Sequence, residues 1–206
     1  LASGKISKIT LDKIFKNNYI GIDILGSLKS KEISTNHKHG KACLVTPETF
    51  KEEKRLLFDF SLKYAKKNPA MKFIWRLHPK TNFDDLSRIN SEYKTLPSNV
   101  VLSSSTLAED LQESSFILYR GSTTVINAIS SGVIPIYLKK NMDELSFDPI
   151  YSCTTGKSIV ISQSDFDRVI EKEYDIAEIN FLRQYGQSFY TSMNVSVLER
   201  LINSEV

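Results

Sequence analysis

Six short apolar segments, helical patterns alternating with them, and polar residues gathered where the apolar segments end predict an α/β fold. The form expected is a Rossmann-like, doubly wound parallel sheet of about six strands, covered by helices on both faces, over residues 38–173. The segments are ACLVT (Ala42–Thr46), KFIWRL (72–77), NVVLS (99–103), SFILYR (115–120), VIPIYL (133–138) and SIVIS (158–162). Each is continuously apolar rather than alternating, as a strand buried on both faces requires.

The helices follow from spacing and stop signals. After the first segment, Pro47 precedes Thr49, which stands three residues before Glu52 as a capping box. Phe50, Leu57, Phe60 and Tyr64 then recur at helical spacing until Asn68-Pro69 ends the pattern. Residues 83–90 form a shorter helical stretch, and Thr106 with Glu109 repeats the capping box before LAEDLQE. Further helices fit residues 122–131, closed by Gly132, and 165–173. Residues 174–206 carry helical spacing at Ile176, Ile179, Leu182 and Tyr185, then at Val197, Leu198 and Leu201, and are expected to pack back on the domain. Residues 1–37 hold one apolar segment, YIGIDILGSL, and a polar stretch, KSKEISTNHKHG; they read as a linker or the tail of a preceding domain. The chain opens on Leu1, so it is expected to be part of something longer.

Composition narrows the function. With 206 residues, 41% hydrophobic and 25% charged, the chain is long enough to bury a real core. Its 27 basic and 24 acidic side chains leave a net charge of +3, and the lysines are scattered, which argues against a nucleic-acid partner. Two isolated cysteines, Cys43 and Cys153, make neither a disulfide scaffold nor a zinc site and suit a reducing cytosol. Nothing in the sequence reads as a membrane span or a signal peptide. His37 and His39 have an H-x-H spacing with no third ligand in view, so no metal is expected there.

In a doubly wound sheet, ligands bind beyond the carboxyl ends of the strands, near the point where strand order reverses. That rim collects Thr46, Pro47 and Glu48; His78, Pro79 and Lys80; Ser103, Ser104 and Ser105; Arg120, Gly121, Ser122, Thr123 and Thr124; and Lys139 with Lys140. Gly121 permits a tight turn, Ser122 suits a helix N-cap, and the hydroxyls of Ser122, Thr123 and Thr124 with the neighbouring backbone N–H groups make an anion site. The same letters also describe a plain strand-to-helix turn. Arg120 favours the anion site, because a charge closing an apolar strand must reach solvent or an anionic partner. His78, fixed by Pro79 at the sheet edge, is either structural or a donor to a phosphate oxygen or leaving group. Glu109 is fully explained by its capping box, yet a carboxylate there also suits ribose hydroxyls. Ser103 to Ser105 form a loop that either touches ligand or simply caps.

RLHPK on one strand end, followed about thirty residues later by TLAEDLQESSFILYRGSTTVINAISSGVIPIYL, resembles the C-terminal, donor-binding half of GT-B-type glycosyltransferases. The likeness is to bacterial capsule and polysialic acid transferases, Kdo transferases and CDP-glycerol transferases, and covers roughly residues 40–140. His78-Pro79 matches their HP motif and Ser122-Thr123-Thr124 their Ser/Thr motif. The resemblance implies a nucleotide-sugar donor, CMP- or CDP-linked, with His78 catalytic and Arg76, Lys80, Ser103, Glu109, Arg120, Gly121, Ser122, Thr123 and Thr124 around the nucleotide and phosphates. It also implies a glycan or glycolipid acceptor, a missing N-terminal domain carrying the general base, no metal or other cofactor, and work in the cytoplasm, at the inner face of the membrane. FDDLS, at residues 83–87, reads as an ordinary helix start rather than an acidic metal-binding motif. A UDP-sugar 2-epimerase-like enzyme is the alternative within this fold, although the longer Gly-Asn-Ser-Ser-type turn is unmatched; a noncatalytic carbohydrate or protein interaction domain is the alternative outside it.

Overall fold

A computed structural model describes residues 1–16, 21–29 and 42–203. Its elements are α1 (Lys5–Phe15), β1 (Ala42–Thr46), α2 (Lys51–Lys67), β2 (Lys72–Trp75), α3 (Phe83–Ile89), a 3₁₀ turn (Ser91–Lys94), β3 (Val100–Leu102), α4 (Leu107–Glu113), β4 (Ser114–Tyr119), α5 (Thr124–Ser130), β5 (Ile134–Leu138), β6 (Ser158–Val160), α6 (Gln163–Glu171), α7 (Ile176–Gln187) and α8 (Val195–Asn203). The six strands pair in parallel in the order β3-β2-β1-β4-β5-β6. This is the α/β Rossmann-like sheet that the alternation of segments predicts.

Strand alternation divides the core between the two faces. Cys43, Val45, Phe73 and Trp75 pack with Leu57, Phe58 and Leu62 of α2 and Phe166 of α6. Trp75 stacks on Phe58 at 4.2 Å and donates to Ser61 Oγ at 3.0 Å, so the one indole satisfies its N–H inside the core. Ala42, Leu44, Ile117 and Tyr119 face the other way, toward Val125, Ala128 and Ile129 of α5 and Leu182 of α7. Strands β1 and β5 are buried along their whole length, whereas the edges show Val101 and Leu102 of β3 and Ile159 of β6. Continuous burial is therefore a property of the central strands.

Helix α7 lies on α5 at unusually short range. A Cβ on Gly186 would stand 2.5 Å from Ser130 Oγ and 2.8 Å from both Ile129 Cγ1 and the Ser130 nitrogen, so only glycine lets the two backbones approach.

The described amino-terminal residues are tied to the end of the chain. They form α1, and Ala2 bridges to Ile24. Ser3 O accepts from Thr191 N at 3.0 Å, Thr191 O accepts from Ser27 N at 2.8 Å, and Leu25 O accepts from Asn194 N at 2.7 Å. This segment is thus strapped to the chain that follows α7. The polar stretch with His37 and His39, and part of YIGIDILGSL, lie outside the described residues.

Two cap assignments need correction. Helix α2 starts at Lys51 with Phe50 at the N-cap and no side-chain cap, so the Thr49–Glu52 box does not form. Thr49 falls one residue too early, and the carboxylate at the third helical position, Glu53, is engaged by Arg120. Nor is Ser122 a cap: the N-cap of α5 is Thr123, which is already helical at φ −68°, ψ −7° and makes no side-chain cap bond. A capping hydroxyl needs an extended backbone, which Thr123 lacks. The Thr106–Glu109 box forms as expected.

Candidate functional site

Strand order reverses between β1 and β4: the chain winds outward from β1 through β2 to β3, crosses back, and winds the other way through β5 to β6. The loops leaving β1 and β4 therefore diverge and open a crevice. A cleft of about 700 Å³ lies there, walled by Glu48 and the first turn of α2 on one side, by Phe147 of the β5–β6 loop on the other, and floored by Gly121. Gly121 is in close contact with Glu48: an added Cβ would sit 3.0 Å from Glu48 Cγ.

Hydroxyls without partners line the same rim. Thr46 ends β1, opposite Tyr119 of β4, and its Oγ1 is buried with no hydrogen-bond partner among the described residues. Ser122 is buried, Thr124 half-buried and Thr123 exposed. None of these three side chains has a hydrogen bond among the described residues. Buried hydroxyls are normally satisfied, so Thr46 Oγ1 stands out chemically.

His78 follows β2 and is half-buried in a turn in which Thr81 N donates to His78 O at 2.8 Å. Lys80 N donates to His78 Nδ1 at 3.2 Å, which leaves Nε2 to carry the proton of the neutral ring and act as the donor. Lys54 of α2 fastens this turn by a 3.1 Å bond to Thr81 Oγ1, while Pro79 and Lys80 remain exposed. Strands β2 and β4 flank β1, so their ends stand about 10 Å apart across the rim, with His78 beyond one and the Ser122 turn beyond the other.

Three other sequence-predicted ligands are occupied locally. Arg76 NH1 donates to Asp110 Oδ2 at 2.6 Å, to Ser105 O at 2.9 Å and to Ser103 Oγ at 3.2 Å, and Ser103 Oγ donates to Asp110 at 2.6 Å. Asp110 is only 4% exposed, so this arrangement neutralises a buried carboxylate and ties the loop after β3 to α4. Glu109 is exposed; it accepts from Thr106 N and Oγ1, and those bonds hold its carboxyl below the ordinary range.

Arg120 is 1% exposed and finds its anionic partners inside the protein. Nε donates to Glu53 of α2, NH1 and NH2 donate to Glu144 Oε2 and Oε1 at 3.0 and 2.8 Å, and NH1 also reaches Leu138 O at 2.7 Å. Burial works against the charge, but the bonds to Glu144 and Glu53 outweigh it and raise the guanidinium pKa. Glu144 is in turn pulled below its usual range, chiefly by the Arg120 bond. The guanidinium thus joins the two walls of the cleft, α2 and the β5–β6 loop. The loop is pinned further along: Asp148, buried, accepts from Tyr119 OH at 2.9 Å and Ile150 N at 2.9 Å, and pairs with Lys157 at 2.7 Å, while Phe147 N donates to Tyr137 OH at 3.0 Å.

Sequence reasoning missed Glu53, Glu144, Asp110 and Phe147. Each is an ordinary letter in a helix or loop, and only the folded geometry pairs it with the rim.

No protein-family model and no curated protein sequence matches the chain. Solved structures do. The pneumococcal O-GlcNAc transferase GtfA, in complex with UDP and GlcNAc, superposes with a TM-score of 0.59 at 14% identity, over 98% of this chain and 44% of that one. Staphylococcus aureus MnaA with UDP gives 0.58 at 12% identity, over 98% and 57%. A point mutant of S. aureus TarM, in complex with fondaparinux, α-GlcNAc-glycerol and UDP, gives 0.56 at 13% identity, over 98% and 42%. The chain spans less than two thirds of the length of each, and at these identities the likeness is one of fold: a Rossmann-like domain of the kind that forms part of each of those larger proteins.

Proposed function

We propose that the chain is the donor-binding half of a GT-B-type glycosyltransferase and that it binds a pyrimidine nucleotide-sugar. The observation that carries this reading is the set of unpartnered hydroxyls, Thr46, Ser122, Thr123 and Thr124, at the strand-order reversal of a doubly wound sheet. Phosphate oxygens are acceptors that would satisfy them together. The His78 Nε2–H, across the rim, donates to the leaving nucleotide as its bond to the sugar breaks, and Lys80 adds charge at the exposed side. The resemblance of the HP and Ser/Thr motifs favours a CMP- or CDP-linked donor, whereas the similar folds solved with UDP favour uridine. Transfer to a glycan or glycolipid acceptor would require a partner domain that supplies the general base.

Arg120, in this reading, shapes the site rather than touching phosphate. Calorimetric titration of the chain with UDP, CDP and CMP tests the proposal. Binding of at least one, weakened about tenfold or more by Ser122→Ala, supports it. Absence of binding by all three would favour a noncatalytic interaction domain.

A further inference from the structure

The charge of the cleft beside Gly121 differs from that of the hydroxyl rim. Its lining carries Glu48, Glu52 and Glu53 against one cation, Lys51. Glu53 is taken by Arg120, but Arg120 is shared with Glu144, so that cluster keeps a net negative charge. Glu48 and Glu52 have neither an ion pair nor a hydrogen bond among the described residues. A phosphate group placed in this cleft would meet like charge with its water removed, which is costly. At the same time Phe50 and Phe147, 70% and 65% exposed, present two aromatic rings to the space.

Unpaired carboxylates accept hydrogen bonds from hydroxyls, and exposed rings cover C–H surfaces. A pyranose offers both. We infer that the cleft between Phe50 and Phe147 receives the glycosyl group of the donor, and that it selects an uncharged, hydroxyl-bearing sugar over an acidic one, with Glu48 as the principal acceptor. This rests on the donor-binding reading above. It is specific about location as well: Gly121 is the cleft floor and immediately precedes Ser122, so a donor whose phosphates meet the Ser122–Thr124 hydroxyls has its neighbouring sugar over Gly121. The missing Cβ at Gly121 leaves Glu48 its place, since a methyl there would stand 3.0 Å from Glu48 Cγ and push the carboxylate aside. An acidic sugar would bring a second carboxylate against Glu48 and Glu52, a repulsive contact of the kind that sets specificity.

The probes are UDP, CDP, UDP-glucose, CDP-glucose and UDP-glucuronate, titrated into the whole chain by calorimetry and by backbone amide NMR. UDP-glucose and UDP-glucuronate differ only at the sixth carbon of the sugar. Expected is tighter binding of the glucose conjugate than of its parent nucleotide, with shifts at the Gly121 and Lys51 amides. UDP-glucuronate should bind at least about tenfold more weakly than UDP-glucose. Glu48→Gln should remove most of that discrimination, and Gly121→Ala, by displacing Glu48, should reduce it. Equal binding of parent and conjugate, or equal binding of glucose and glucuronate, overturns the inference and leaves the donor-binding reading standing. If neither UDP nor CDP binds, both fall together.

Discussion

Replacing Arg120 by Met would remove the positive group that Glu53 and Glu144 share while keeping most of the side-chain volume. The two carboxylates are 18% and 15% exposed, and Arg120 is 1% exposed. Removing one partner of a buried ion pair costs about 3–5 kcal/mol, because the other charge is left uncompensated. The residual exposure of both carboxylates places the expected loss near the lower end, about 3 kcal/mol, with Leu138 O also losing its donor. For a chain of this size that corresponds to a fall in Tm of roughly 6–12 °C. The pH dependence carries a sign. Arg120 lowers the Glu144 pKa, so in the parent protein this contribution is present above the unfolded carboxyl pKa and is lost as pH falls through the lower folded value. In Arg120→Met, the unpaired carboxylates favour protonation, and the variant gains relative to the parent in acid. Urea unfolding at pH 7.5 and 4.5 measures both terms: a loss of about 3 kcal/mol should shrink by about half or more at the lower pH. A loss under about 1 kcal/mol at pH 7.5, or one that does not shrink in acid, would refute the account of Arg120 as a buried staple.

His78→Ala should weaken nucleotide binding about tenfold, while stability changes by less than about 0.5 kcal/mol, since the ring is half-buried and its bond to Lys80 N is local; thermal denaturation beside calorimetry separates the two. Gly186→Ala gains about 1 kcal/mol of helix propensity but meets Ser130 and Ile129 at 2.5 to 2.8 Å, so a net loss of about 1–2 kcal/mol is expected, and a raised Tm would show that α5 and α7 separate easily. Nucleotide affinity should be unchanged by EDTA; a tenfold fall would assign the phosphates to a metal.

The strands were legible because their apolar runs are continuous in sequence, and ACLVT matches β1 to the residue. The capping box at Thr106 was legible because both of its members act locally. At Thr49 the same pattern misleads, because the helix starts one residue later, with Phe50 at the N-cap, which puts Thr49 and Glu52 out of the register a box needs. The candidate site residues divide in the same way. His78, Gly121 and Ser122 are visible from strand ends alone, and so is the need of Arg120 for an anion. Which anion it finds depends on how the β5–β6 loop returns past the sheet, and no local pattern around Glu144 announces that. Ser103 lies on the predicted rim and Arg76 is among the expected nucleotide ligands, yet Asp110, whose burial no spacing reveals, claims both.

The network around Asp148 bears on how a ligand would arrive. Phe147 stands beside a carboxylate that is held by Tyr119, Ile150 and Lys157, each anchored in or next to the sheet. The far wall of the cleft therefore opens only when the sheet opens, and the amides of Phe147 and Ile150 should exchange with solvent nearly as slowly as those of β4 and β5. A wall of that kind does not close over its guest: the cleft is a preformed socket, entered at a rate set by encounter rather than by ordering of the loop.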